Sequence, residues 1–250
     1  MLLRRLGLVL AAACGVLLFG ASAPAQKQSF DADEKRAIET LIRDYLLTHP
    51  EIIREAVQVL QQRERQAELD HGKAAVALHL KELTEDPTAP VLGNAAGDVT
   101  IVEFFDYRCP YCKQMEPSLA ELLGEDGKVR LVMKEFPILG PDSVIASRAA
   151  LASRAQGRYQ PFHSAMMGSK GALDEAAIFR TAGEVGLDVA RLKRDMASAE
   201  IDEILKRNHD LAAALGVGGT PAFVIGKQFV PGALDKAALK SLVAEARSQE

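Results

Sequence analysis

An apolar run from Val99 to Tyr107 ends at the tetrad Cys109-Pro110-Tyr111-Cys112, and a helical pattern begins at once. The run is rich in β-branched and aromatic side chains and reads as a strand. A strand that delivers a Cys-x-x-Cys to the mouth of a helix is the arrangement a dithiol redox site needs. Free N–H groups and the positive end of the helix dipole favour thiolate over thiol at the first cysteine. The thiolate is the species that attacks a disulfide. Cys109 is therefore the expected nucleophile and Cys112 the resolving thiol.

Two other uses of the tetrad fit less well. Zinc wants four ligands, usually as two close pairs. The only other cysteine is Cys14, and the five histidines (His49, His71, His79, His163, His209) form no metal-type pair. A structural disulfide across four residues closes little chain entropy and stabilises little.

The segment before residue 26 reads as an export leader: Arg4 and Arg5 are followed by an apolar stretch to Phe19 and small residues to Ala25. Cleavage is expected near Ala25. The rival reading is a lipoprotein acylated at Cys14, but apolar residues continue past that cysteine. Export implies an oxidising compartment, the periplasm. The mature chain would hold two cysteines, both in the tetrad. Loss of the leader arginines takes the formal charge from −4 to −6, which argues against a nucleic-acid partner. With 250 residues, 48% hydrophobic and 26% charged, the chain has the balance of a globular protein with room for one domain and an accessory segment.

That accessory segment spans residues 26–86. Asp31-x-x-Glu34 forms a capping-box pattern before Ile38, Leu41, Ile42 and Tyr45 at helical spacing. Thr48-x-x-Glu51 starts a second helix, in which Gly72 is a candidate break. Ile53, Val57, Leu60, Ala67, Ala74 and Leu78 fall on a 3-4 spacing interrupted by Glu64 and His71. Such a helical pair has too little to bury alone. It is expected to lie outside the strand–tetrad domain as an oligomerisation arm, the alternative being a hairpin folded back on its own chain.

Asp86-Pro87-Thr88-Ala89-Pro90 marks the boundary to a domain over 87–250. Short strands are expected at Val91–Leu92, Val99–Asp106 and Val129–Phe136, with the tetrad helix between the last two and a kink at Pro117. Several helices fill about 142–216. A strand pair at Ala222–Ile225 and Gln228–Val230 and a last helix from Leu234 complete the chain.

This α/β order, strand, tetrad helix, strand, helical block, Thr-Pro, strand pair, helix, resembles a thioredoxin fold with a helical insertion, preceded by an α-helical N-terminal arm. It is similar to the DsbA-like family of exported thiol–disulfide oxidoreductases. The resemblance is carried by Gly93-Asn94 with Gly97-Asp98, Glu103-Phe104-Phe105, Cys109-Pro110-Tyr111-Cys112-Lys113, Pro117, and Gly216-Val217-Gly218-Gly219-Thr220-Pro221. It implies a cis Thr220–Pro221 bond on a loop beside the sulfurs that pairs with substrate backbone. Tyr45-Leu46-Leu47-Thr48-His49-Pro50-Glu51 and the residues after it resemble the N-terminal region of ScsC-type proteins, DsbA-like proteins associated with copper tolerance, some of them trimers.

The supporting residues follow from this likeness. Glu103, six residues before Cys109, sits where the family often has a buried acid that relays the resolving thiol's proton. An outward-facing strand acid is the alternative. Glu116 and Lys134 are further charges near the tetrad, with a solvated face as their alternative. Met166-Met167 reads as packing rather than a copper contact, and His163 has no assignable role. Pro110 and Tyr111 bring no charge, and Cys-Pro-Tyr-Cys occurs in enzymes of both redox directions. Three functions therefore stay open. One is an oligomeric disulfide isomerase or reductase kept reduced by a membrane reductase. Another is a monomeric dithiol oxidase recharged by a membrane partner. The third is a protein holding Cu(I) between Cys109 and Cys112. Neither of the first two calls for a cofactor.

Overall fold

The computed structural model describes residues 30–249. The leader, its cleavage site near Ala25 and Cys14 lie outside the described residues. The chain divides after Val57 into two compact units.

The first unit holds α1 (Ala32–Thr48) and the start of α2 (Glu51–Thr84). The Asp31 carboxylate accepts from the N–H of Asp33 and Glu34, both at 2.8 Å, and the Asp31 N–H donates to Glu34 Oε2 at 2.9 Å. This is the capping box the sequence predicts, worth about 1 kcal/mol. No residue of α1 is buried, and Leu41, Ile42, Tyr45 and Leu47 are exposed.

The second unit is built on five strands: β1 (Val91–Gly93), β2 (Val99–Phe105), β3 (Val129–Glu135), β4 (Ala222–Ile225) and β5 (Gln228–Pro231). They lie in the order β1-β3-β2-β4-β5. β2 and β3 run parallel, joined by α3 (Pro110–Glu125); the other neighbours are antiparallel. Between β3 and β4 the chain makes α4 (Pro141–Ser153), a 3-10 turn, α5 (Tyr159–Met167), α6 (Glu175–Glu184), α7 (Val189–Asp195) and α8 (Ala199–Leu215). α9 (Lys236–Ser248) closes the fold. Asp174, Asp188, Ser198 and Asp235 cap their helices through the side chain, as the turn residues of the sequence suggest. Gly93 has φ +72°, and a Cβ there would lie 2.6 Å from the Val129 carbonyl, which accounts for a glycine at that turn.

Both faces of the sheet are covered. Ile101, Phe105, Leu131 and Met133 face a core with Met115 and Leu119 of α3, Phe162 and Met166 of α5, and Leu239 of α9. Val102, Phe104, Val132 and Val224 face a second core with Ala75, Val76 and Leu83 of α2 and Leu211 and Leu215 of α8. Each fully buried Leu or Val contributes roughly 1.5–3 kcal/mol.

Two expectations are corrected here. From Gly72 onward α2 belongs to the packing of the sheet and is not a separate arm. Gly72 does not break α2, which is continuous over 34 residues. It is a contact glycine: an added Cβ would lie 2.2 Å from Phe229 Cδ1. The residues of the 3-4 seam, Leu60, Ala67, Ala74 and Leu78, are exposed, because the buried face is set by Gly72, Ala75, Val76 and Leu83. Pro117 lies within α3.

Candidate active site

Cys109 is the N-cap of α3 and Pro110 takes its first turn, where a missing N–H costs nothing. The turn that presents it is tied internally: the Cys109 N–H donates to the Asp106 carbonyl at 3.0 Å. Cys109 and Cys112 are both buried free thiols. The Cys109 Sγ–H donates to the Thr220 carbonyl at 3.1 Å, and the Thr220–Pro221 bond is cis. The structure thus brings Thr220 and the first sulfur into contact. Tyr111 instead faces outward, 60% exposed.

Cys112 lies one turn inside. Burial pushes its thiol well up from the ordinary range, and the negative charge of Glu103 adds to this. Glu103 is itself buried on β2, not outward-facing. Burial, then the charges of Glu116, Cys109 and Glu135, raise its carboxyl well above the usual range. Its Oε2 has no hydrogen-bond partner among the described residues. The surroundings of Glu103 and of Cys112 thus both favour the protonated form.

Lys134 is placed elsewhere. It pairs in register with Phe104, so strand alternation turns it to the opposite sheet face from Glu103. There it is buried, and its Nζ donates to Asp86 Oδ2 at 2.7 Å and to the Glu82 carbonyl at 3.2 Å. It is neither near the thiols nor solvated. Glu116 is half-buried and does stand by the site. Burial raises its carboxyl, but the hydrogen bond and charge of His163 outweigh this and hold it below the usual range. Met166 and Met167 are packed in the core. No cluster of three or more His, Cys, Asp or Glu suited to a metal occurs among the described residues.

Several residues have roles that the sequence does not show. Asp106, fully buried, accepts from the N–H of Arg108 (2.7 Å), Ile138 (2.8 Å) and Leu139 (3.0 Å) and from Ser143 Oγ (2.8 Å). Arg108 Nη1 donates back to the Leu139 carbonyl at 2.7 Å. The loop before α4 is thereby clamped to the tetrad turn, with Ile138, Leu139 and Val144 partly exposed. Lys113 donates to the Met166 and Ser169 carbonyls and to Ser169 Oγ, fixing α3 to the end of α5. Glu135, Tyr107, Tyr159 and His163 form a buried polar group behind α3. The available signal was parity: Glu135 shares the sheet face of Met133 and Leu131. With both faces apolar, alternation does not show in the sequence.

Residues 100–244, more than half the chain, match the family of the DSBA-like thioredoxin domain. Residues 34–67 match the copper resistance protein ScsC N-terminal domain. A solved thioredoxin-like oxidoreductase from Silicibacter pomeroyi DSS-3 is 48% identical, with a TM-score of 0.66, over 67% of this chain and 97% of that one. Proteus mirabilis ScsC, solved in a transitional conformation, is 29% identical with a TM-score of 0.65, over 89% and 99% of the two chains. Among curated relatives, a Na(+)/H(+) antiporter NhaA 3 of Salinispora tropica is 31% identical over 62% of this chain, which spans only 24% of that protein's length. The five-stranded sheet, the tetrad at the mouth of α3 and the helical block between β3 and β4 agree with the family match: the chain has a thioredoxin fold and belongs to the DSBA-like thioredoxin domain family.

Proposed function

We propose that the protein is an exported thiol–disulfide oxidoreductase acting on protein disulfides, and that it works as an oligomer, in the sense of isomerisation or reduction. The observation that carries the reading is the pairing of Cys109, at a helix N-cap and bonded to the Thr220 carbonyl, with Cys112 buried beside Glu103.

In this reading the Cys109 thiolate attacks one sulfur of a substrate disulfide. A mixed disulfide forms and the other substrate sulfur leaves as thiolate. Cys112 then attacks the Cys109 sulfur, the Cys109–Cys112 disulfide forms, and the second substrate sulfur departs. Glu103 takes the Cys112 proton after giving up its own. Burial raises both proton affinities together, which suits transfer between them. For isomerisation the second attack comes from a substrate thiol instead, and the dithiol is regenerated. A membrane reductase would keep the protein reduced. Thr220 and Pro221 would align substrate backbone, and Pro110 with Tyr111 would form the rim.

Support for an oligomer lies in the apolar side chains of α1 and of the outer face of α2, among them Leu41, Ile53, Leu60 and Leu78, which are exposed. Residues 34–67 also match the ScsC N-terminal domain, and a trimer is the size to test first. Periplasmic residence rests on the leader pattern of the sequence.

The test joins solution mass to turnover. Light scattering of the mature chain, with and without residues 26–57, should give a multiple that collapses to monomer on truncation. Cys109→Ser should abolish rescue of a scrambled substrate, and Cys112→Ser should trap the mixed disulfide. A monomer in both forms that oxidises reduced substrate would replace the isomerase with a dithiol oxidase. Tight Cu(I) binding lost in Cys109→Ser, without turnover on any disulfide, would replace both with a copper-holding role.

A further inference from the structure

Behind the active-site helix lies a chain of titratable groups that dithiol exchange as described does not use. Glu135, at the end of β3, is fully buried. Its Oε1 accepts from Tyr107 Oη at 3.1 Å and Tyr159 Oη at 2.9 Å, and its Oε2 from Ser147 Oγ at 2.7 Å. Tyr107 Oη also lies 3.0 Å from His163 Nδ1. His163 Nε2 lies 3.3 Å from Glu116 Oε2. Glu116 is on α3, four residues and one turn after Cys112. His163 is fully buried, and its ring is held by stacking on Tyr159 and edge contacts with Phe105 and Tyr107.

We propose that His163 is a positioning residue of the dithiol centre: it orients Glu116 on the active-site helix and links it through Tyr107 to Glu135, so that one negative charge is shared between the two ends of the chain Glu116–His163–Tyr107–Glu135. The proposal rests on the reading of Cys109 and Cys112 as the exchanging pair.

Proton counting gives the chain two arrangements. The Tyr107 hydroxyl has one proton and lies between two partners, so it donates to only one. In the first arrangement it donates to a Glu135 carboxylate, His163 Nδ1–H donates to Tyr107, and a protonated Glu116 donates to Nε2. In the second, Glu116 has passed its proton to Nε2, Nδ1 has passed its proton to Tyr107, and Tyr107 has passed its proton to Glu135. Three hops move the charge from Glu135 to Glu116, with no proton gained or lost. The surroundings of the two ends favour the second arrangement. Burial lifts Glu135 to about 8 against the pull of Ser147, Tyr159 and Tyr107, whereas His163 holds Glu116 low.

The Glu116 charge then bears on the thiols. After burial it is the largest influence that raises Glu103, and a neutral Glu103 spares Cys112 the charge that would raise it further. Other groups also face Glu135. Asp106 adds negative charge from the turn after β2, Ser147 comes from α4, and Tyr159 and His163 come from α5. Asn208 of α8 donates to the Glu135 main-chain carbonyl at 3.0 Å. None of these supplies a cation other than His163 when it is protonated.

The test uses the full chain and reads the equilibrium with a glutathione redox buffer and the thiolate ultraviolet absorbance, each against pH. Glu116→Gln removes the charge outright and sits at a half-buried position that tolerates the change. By the route above it lets Glu103 ionise, which disfavours a thiolate at the dithiol, and should shift the equilibrium about tenfold toward the disulfide, the equivalent of one pKa unit. His163→Leu should shift it the same way. His163→Gln, which still donates to Glu116 but cannot pass a proton, should restore most of the equilibrium. Glu135→Gln should remove the inflection of the equilibrium near pH 8. A purely structural role would lower the melting temperature of the His163 variants and leave equilibrium and pH profile unmoved; that result, in folded variants, overturns the proposal. Failure of the wild-type protein to form the Cys109–Cys112 disulfide at all would instead remove the dithiol reading, and the proposal with it.

Discussion

Leu83 and Leu78 lie five residues apart on α2, one fully buried and the other 82% exposed. The buried face of the helix, Gly72, Ala75, Val76 and Leu83, packs with Phe104, Val132 and Phe229. The outer face, with Leu60, Ala67, Ala74 and Leu78, touches no core. Composition does not separate the two faces, since each is apolar at helical spacing. What separates them is geometry. A glycine lets the helix approach the sheet at one face only, and that approach fixes which stripe is spent within the chain and which is left over. An apolar stripe is therefore evidence of a contact but not of whether the contact is within one chain or between copies.

Substitution on the two faces should sharpen the contrast. Leu83→Ala should cost about 2–5 kcal/mol in urea denaturation, through lost burial and a residual cavity. A loss below about 1 kcal/mol would show that the buried face is loosely held. The next largest effect is expected of pH. Glu135 folds with its carboxyl raised from the ordinary value to about 8. The folded state thus binds the extra proton, and stability should be full below the ordinary carboxylate range and fall as pH rises through 8. The loss between about pH 5 and about pH 9 should be on the order of 4 kcal/mol, and Glu135→Gln should flatten it. Buried Glu103 would keep a residual slope of the same sign, which the double variant should remove.

Gly72→Ala comes third. At a solvated helical glycine this change gains up to about 1 kcal/mol. Here the new methyl meets the Phe229 ring, and a net loss of about 1–2 kcal/mol is expected. A net gain would mean that the contact yields cheaply. Smallest is Leu78→Ala, within about 0.5 kcal/mol by denaturation of the monomeric unit. Its effect should appear in solution mass, where Leu78→Lys together with Leu60→Lys weakens self-association.

The sequence made the sheet, the tetrad helix and the helical block legible because each begins or ends on local chemistry. Asp31, Asp174 and Asp235 cap helices, and the Cys109–Pro110 step opens another. Local patterns could not say which face of a doubly buried strand a residue takes. Lys134 and Glu135 are neighbours in sequence and lie on opposite sides of the sheet, one with Asp86 and the other with Tyr107, Tyr159 and Ser147. The partners of both come from 12 or more residues away in the chain. Gly72 is illegible for the same reason: what requires a glycine there is Phe229, more than a hundred residues later.

The bond from Cys109 Sγ to the Thr220 carbonyl has one more consequence. A thiolate or a disulfide sulfur has no proton to give, so this bond exists only while Cys109 is a thiol. Oxidation or ionisation releases an acceptor on a neighbouring loop. The state of the sulfur is thereby written into the hydrogen-bonding capacity of a main-chain carbonyl. A visiting chain with an N–H to offer would meet an occupied acceptor on the thiol form and a vacant one on the other two.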